Sequence, residues 1–200
     1  MAAVTKGQRT AEDLKAAALR VIARQGYLAA KITDITAEAG RAAGSFYRYY
    51  TDKDDLLRAI AEDFMAAVNA RVVEHAGAPH DLNTVEDVRR HVRSYVEAYA
   101  AHAAEMTGIY EASLVSEDFA RQWESLRGRH IAVWAAHIGA ARRLPEPDRD
   151  CELTAVAVVC MLEGFCRTAR PGAGGGSAVG DAVEALTRVI AEGVLGRPAG

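Results

Sequence analysis

Residues 33–50 read TDITAEAGRAAGSFYRYY, and this stretch decides how the rest of the chain is interpreted. Its pattern predicts two short helices, over about 33–39 and 44–50. The sharp turn between them falls at Gly40, because glycine readily takes the positive φ that such a turn needs. Two short helices joined in this way form a helix-turn-helix.

The second helix of this pair has an apolar side and a polar side. Phe46 and Tyr50 are four residues apart and should anchor this helix to a core, as Ile35 anchors the first one. The outer side should then show Ala43, Gly44, Ser45, Tyr47, Arg48 and Tyr49. Small residues allow close approach to base edges in a major groove, and hydroxyl and guanidinium groups donate to phosphates and guanines. An ordinary helical hairpin is the alternative, but these side chains cannot all face inward.

The composition predicts an all-α protein. Of the 200 residues, 41 are alanine, the best helix former, and only five are proline. No period-two stretch long enough for a convincing strand occurs. Further helices are expected over about 10–25, 52–76, 83–105, 106–114, 117–142, 149–168 and 178–195, about nine in all.

Local signals predict where several helices begin and end. Thr10 is the expected N-cap of the first helix, and Gly26 its C-terminal stop. The stretch Thr51-Asp52-Lys53-Asp54 offers a side-chain oxygen and early acids, a capping signature for the long helix that follows. Thr33 could cap the second helix. The glycine-rich residues 171–176 predict a flexible connection.

Charge and cysteine content narrow the class of protein. Residues 1–50 carry eight basic and four acidic side chains, whereas the remaining 150 carry 16 and 23, so a basic head precedes an acidic body. The N-terminus lacks the apolar core of a signal peptide, and no apolar run is long enough for a membrane span. With only three cysteines, we expect a reduced, cytoplasmic environment.

The motifs of common enzyme classes are missing. The sequence contains no phosphate-binding glycine loop, nucleophile elbow or HExxH helix. His130 and His137 lie seven residues apart, but a metal site needs further ligands that the sequence does not place. We therefore predict no catalytic residues, no metal ion and no cofactor.

From Asp34 to Leu56 the chain reads D-I-x-x-x-A-G-x-x-x-G-S-F-Y-x-Y-Y-x-x-K-x-x-L. This stretch resembles the DNA-binding domain of the tetracycline-repressor-like (TetR) family, and the likeness covers about residues 10–60. The resemblance implies a three-helix DNA-binding head over 1–54 and a helical ligand-binding and dimerisation body over 55–200. It also implies a homodimeric repressor that binds a palindromic operator and is released by a small-molecule inducer.

The resemblance also assigns roles to individual positions. It implies phosphate contacts for Thr33, Ser45, Tyr47 and Lys53, and it places Ala43, Gly44 and Arg48 nearest the bases. Arg48 could reach either a phosphate or a guanine. Two positions depart from the family pattern: Arg41 either adds a phosphate contact or loosens the turn, and Ala42 lacks a capping hydroxyl, which costs roughly 1 kcal/mol.

The body carries less specific signals. The helix over 149–168 is apolar nearly all round, so we expect it to be buried on several sides and to form a four-helix dimer interface with 178–195. A ligand cavity could be lined by Tyr99, Met106, Tyr110, Trp123 and His137, although ordinary core packing explains these residues equally. The alternative function is a helical ligand-binding or protein-interaction bundle without DNA binding.

Overall fold

The computed structural model describes residues 6–76 and 82–194, and this part of the chain is helical with no strand. The all-α prediction is therefore confirmed. The α-helices are Lys6–Ala29 (α1), Ile32–Glu38 (α2), Lys53–Ala76 (α3), Val85–Ala101 (α4), Ala103–Val115 (α5), Glu117–Ala141 (α6), Arg149–Ala169 (α7) and Gly175–Val194 (α8). Two 3₁₀ segments, Ala43–Arg48 and Pro171–Gly174, complete the described elements. None of the described helices is long and apolar enough to cross a membrane.

The chain divides into two compact units. The first comprises Met1–Asp63 and Ala104–Glu124, and the second comprises Phe64–Ala103 and Ser125–Gly200. The first unit thus contains the helix-turn-helix together with most of α5 and the first turns of α6. The predicted division after residue 54 rests on the sequence motif and stays a prediction.

The first unit is built on an apolar side of α1. Leu14, Val21 and Ile22 are buried there, as predicted from their spacing. The helical path breaks at Gly26, whose φ of 79° and ψ of 160° belong to a region that is essentially restricted to glycine. The predicted stop at Gly26 is therefore confirmed, although one more helical turn follows it.

The turn after α2 is a compact Schellman motif. Gly40 has a φ of 63°, and its N–H donates to the carbonyl of Ala37 at 3.0 Å. The N–H of Arg41 donates to the carbonyl of Thr36 at 2.8 Å, which completes the motif. Arg41 therefore does not loosen the turn.

Two predicted helix caps are corrected by the structure and a third signal is confirmed. Thr10 is not an N-cap, because α1 already begins at Lys6 and Thr10 lies buried within it. Thr33 does not cap α2 either: Lys31 is the N-cap residue, and the carboxylate of Asp34 accepts from its N–H at 3.3 Å. The capping signature over Thr51-Asp52-Lys53-Asp54 is confirmed, and the structure shows that the capping oxygen is that of Asp52, which accepts from the N–H of Asp55 at 2.8 Å.

The second unit contains α4, α7, α8 and the larger part of α6. The predicted flexible connection at 171–176 is wrong, because Pro171–Gly174 forms a 3₁₀ turn that leads directly into α8. This turn packs tightly against α4, where a Cβ added at Gly172 would lie 3.1 Å from the carbonyl oxygen of Ala100. The predicted end of the last helix at residue 195 lies outside the described residues.

We predict that Gly40→Ala lowers the free energy of unfolding by about 1–2 kcal/mol, because alanine at positive φ is strained. No atom would crowd the new Cβ, so the loss should come from the backbone alone. Gly44→Ala is the matched control, since Gly44 has no positive φ and equal space around it. Urea unfolding measures both variants, and equal stability of the two would contradict the assignment.

Candidate nucleic-acid interface

The predicted second helix of the helix-turn-helix is a 3₁₀ segment, not an α-helix. It spans Ala43–Arg48 and begins after Ala42, which has an extended backbone and provides no side-chain cap. The first hydrogen bond of the segment is between backbone groups: the N–H of Ser45 donates to the carbonyl of Ala42 at 2.9 Å. We call Ala43–Arg48 the recognition segment.

Two aromatic rings fix the inner side of the recognition segment. The Phe46 side chain is fully buried, and the ring of Tyr50 lies 5.7 Å from it between centroids. The Tyr50 hydroxyl reaches the carbonyl of Ala11 on α1, with the oxygens 3.5 Å apart. The predicted anchoring of the segment by this pair of rings is confirmed.

The outer side presents the small and basic residues that the sequence places there. Tyr47 is 63% exposed, and Ala43, Gly44 and Arg48 are exposed as well. Ser45 is half-buried, and its hydroxyl donates to the carbonyl of Ala42 at 2.7 Å. Tyr49 was expected on this outer side, but it is half-buried, because the segment ends at Arg48 and Tyr49 leaves its helical path as the C-cap.

Ion pairs hold α2 and the turn against α1. Glu38 accepts hydrogen bonds from Arg20 at 2.7 Å and from Arg24 at 3.3 Å. The hydrogen bond from Arg20 holds the pKa of the Glu38 carboxyl below its usual value. Arg41 donates to the carboxylate of Asp13 at 2.6 Å, so its guanidinium is directed along α1. Both sets of ion pairs fix the orientation of α2 and the turn relative to α1.

Lys53 occupies a position that motif reasoning assigned to a phosphate contact. Its ammonium donates to the carbonyls of Tyr27 at 2.7 Å and Ala30 at 3.0 Å. It also lies 4.1 Å from the centroid of the Tyr27 ring, a cation–π distance. Partial burial lowers the pKa of Lys53. One of its three ammonium hydrogens is left for a phosphate, so the DNA contact stays a prediction.

A polar cluster links four parts of the first unit. The Tyr27 hydroxyl and the Ser116 hydroxyl both donate to the carboxylate of Asp54. The N–H of Tyr27 donates to the carboxylate of Glu111 at 2.8 Å. These bonds join the end of α1, the start of α3, α5 and the corner before α6. Sequence reasoning missed the cluster because its members are up to 89 positions apart.

The five residues predicted to line a ligand cavity divide between the two units. Met106, Tyr110 and Trp123 belong to the first unit, and Tyr99 and His137 belong to the second. Tyr99, Met106 and Trp123 are buried and His137 is half-buried, whereas Tyr110 is 42% exposed. Their joint role in one cavity stays a prediction.

The interior of the second unit contains a group that the sequence did not single out as a site. His130 is only 9% exposed, and its ring stacks on that of Tyr95 with 6.0 Å between centroids. Nearby, the Nε of Arg127 donates to both carboxylate oxygens of Glu163, at 2.9 and 3.1 Å. Helical periodicity places His130 on a buried face, but only the packed structure shows what surrounds it.

Burial determines the protonation of this interior. It lowers the pKa of His130 to about 4, so the imidazole is neutral at pH 7. It raises the pKa of the Cys166 thiol to about 12, and it also raises the pKa of Tyr95. Arg127 and Glu163, the charged pair that lies beside Tyr95, compensate each other.

We predict that His130 lowers the free energy of unfolding as the pH falls from 6.5 to 4. The unfolded chain binds a proton on this histidine near pH 6.5, but the folded chain does so only near pH 4. The loss of unfolding free energy caused by this histidine is absent above pH 6.5 and grows as the pH falls. It reaches its full size of about 3 kcal/mol below pH 4.

The measurement is urea unfolding from pH 7 to 4 for the wild type and for His130→Phe. Both chains titrate the same carboxylates, so the difference between them isolates His130. The variant should lose less stability on acidification, and parallel curves would show that the histidine does not titrate as described.

Comparison with known proteins agrees with this architecture. Residues 14–60 match the family model described as bacterial regulatory proteins, tetR family. A Bacillus subtilis (strain 168) protein described as the uncharacterized HTH-type transcriptional regulator YvdT is 35% identical over 77 residues, which cover 38% of this chain and 40% of that protein. The alignment thus spans well under two thirds of that relative.

Solved structures show the same fold over most of the chain. A TetR-family transcriptional regulator from Syntrophomonas wolfei superposes with a TM-score of 0.79 at 16% identity, covering 97% of this chain and 99% of that one. The regulator FadR from Bacillus subtilis, solved in complex with stearoyl-CoA, gives a TM-score of 0.74 at 16% identity, with 91% and 98% covered.

Proposed function

We propose that the chain is a member of the TetR family of bacterial regulatory proteins, whose model matches its residues 14–60, and that it is a transcriptional repressor. It binds operator DNA as a homodimer and releases it when a small molecule binds the body. One observation carries the DNA-binding part of this proposal. The recognition segment keeps Tyr47 and Arg48 exposed while Phe46 is fully buried beneath them. We place the protein in the cytoplasm, where the DNA is found.

The outer side of the recognition segment suits a duplex for two reasons. Ala43 and Gly44 leave little side-chain bulk at its N-terminal end, so that end can approach base edges closely. Tyr47 and Arg48 then offer a hydroxyl and a guanidinium donor beside it, to phosphates or to a guanine. Thr33 is exposed in the first turn of α2 and adds a further hydroxyl.

We predict that Tyr47→Ala weakens binding to a duplex from upstream of the chain's own gene by about tenfold, the loss of about 1.4 kcal/mol. The melting temperature should hardly change, because the side chain is 63% exposed. Fluorescence anisotropy measures the affinity. Tyr110→Ala is the matched control, since it removes an exposed tyrosine from α5 of the same unit.

Two results would contradict this prediction. Equal loss of DNA affinity in the two variants would mean that the recognition segment has no special role. A wild-type affinity that does not fall with increasing salt would exclude phosphate contacts, because these release counterions and make binding salt-dependent.

A row of uncovered apolar side chains on α7 supports the homodimer. Leu153 is 52% exposed, Val156 is 40% exposed and Cys160 is exposed, at spacings of three and four residues. On α8, Val189 is 51% exposed. Apolar faces of this kind are covered when two copies form a four-helix interface, and Gly164, one turn after Cys160, would allow the helices to approach closely.

We predict that Leu153→Asp converts a dimer into a monomer at about 10 µM, because a carboxylate would be buried in an apolar interface without a partner. Val133→Asp is the matched control: Val133 is 50% exposed, but it lies on α6, outside the proposed interface. Sedimentation velocity measures the mass of each. A monomeric wild type, or dissociation of both variants, would refute this interface.

A further inference from the structure

The interior of the second unit holds a polar atom that the fold does not use. The Nε2 of His130 is fully buried and has no hydrogen-bond partner among the residues that the structure describes. Leaving such an atom unsatisfied is costly, and buried polar side chains almost always have a partner. A histidine that merely filled this space would be worse than phenylalanine, so its nitrogen points to a role in binding.

The surroundings of His130 define what it can bind. Tyr95 stacks on it, and the ring of Phe64 meets that of Tyr95 edge-on at 6.0 Å. The ring of Tyr99 lies 6.4 Å from that of Tyr95. The Tyr95 ring on the imidazole, itself in contact with those of Phe64 and Tyr99, makes this part of the interior aromatic, which favours a flat apolar molecule with a polar group that reaches the imidazole.

The charges of the cluster select against an ionised ligand. Arg127 is the cation beside Tyr95, and Glu163 already takes two hydrogen bonds from it. Arg167 and Arg170, which lie near Tyr99, are exposed to solvent. A ligand carboxylate would have to displace Glu163 or remain buried without a counter-charge, and both are unfavourable. Cys166 and Tyr95 are held in their neutral forms by burial, so they add no charge.

We propose that His130 is the hydrogen-bonding anchor for an uncharged aromatic effector that carries a hydroxyl or carbonyl group. The inference rests on the proposed function, since it identifies the chemical class of the small molecule that the body recognises. It sets this chain apart from the FadR structure, whose ligand is an acyl-CoA ester. The residues that form the site are His130, Tyr95, Tyr99, Phe64, Arg127 and Glu163.

Three probes with one methylphenyl frame test the proposal by isothermal titration calorimetry. They are p-cresol, which carries a neutral hydroxyl, toluene, which lacks a polar group, and p-toluate, which carries a carboxylate. We expect the wild type to bind p-cresol at least fivefold more tightly than toluene, and p-toluate more weakly than either. Equal affinities for p-cresol and toluene, or preference for p-toluate, would overturn the proposal.

His130→Phe keeps a ring in place and removes the nitrogen. This variant should lose the preference for p-cresol over toluene and melt at a temperature no lower than that of the wild type, because no protein hydrogen bond is lost and a buried unsatisfied nitrogen is removed. An unchanged preference in a folded variant would refute the anchor. Should the variant fail to fold, ¹⁵N NMR of histidine-labelled wild type decides: saturation with p-cresol must shift the Nε2 resonance of His130, and saturation with toluene must not.

These titrations contain no DNA, so their outcome is independent of the DNA-binding proposal. If p-cresol shows no preference while Tyr47→Ala still weakens DNA binding, the effector class is wrong and the repressor stands. If the preference is found but no duplex binds, the body recognises its ligand without acting on DNA.

Discussion

The buried ring of Phe46 is the contact on which the orientation of the recognition segment depends. A six-residue 3₁₀ segment has few internal hydrogen bonds and cannot define its own inner and outer sides. Phe46 defines them by burial, and Tyr50 supports its ring and reaches back to α1. The exposure of Tyr47 and Arg48 is thus a consequence of core packing.

Local chemistry was the part of the fold that the sequence predicted best. Gly40 and Gly26 mark helix ends because few other residues tolerate the backbone angles required there. The stretch over residues 51–54 marks the start of α3 because capping side chains act on backbone N–H groups close by in the sequence. Thr10 shows the limit of such reasoning. It is a good capping residue, but the helix extends back past it to Lys6, the first residue that the structure describes.

The rest required knowledge of which distant segments meet. The motif assigns Lys53 to a phosphate, yet the same ammonium binds two carbonyls at the end of α1, a contact that no spacing reveals. His130 falls on a periodic apolar stripe and is indistinguishable there from an ordinary core histidine. Only the packing of three helices shows that its Nε2 has no partner among the described residues and that Arg127 pairs with Glu163. Contacts between residues far apart in the sequence, more than local helix propensity, therefore determine the environment of Lys53 and His130.

The carboxylate of Asp54 bears on how such a protein could be re-engineered. Chimeric regulators are naturally made by exchanging the head at the end of the sequence motif. In this chain a junction after residue 54 would leave Asp54 and Tyr27 facing whatever the foreign body supplies in place of Ser116 and Glu111. A graft that transplants residues 104–124 together with the head would keep both sets of hydrogen bonds intact, so the transferable module is discontinuous in sequence.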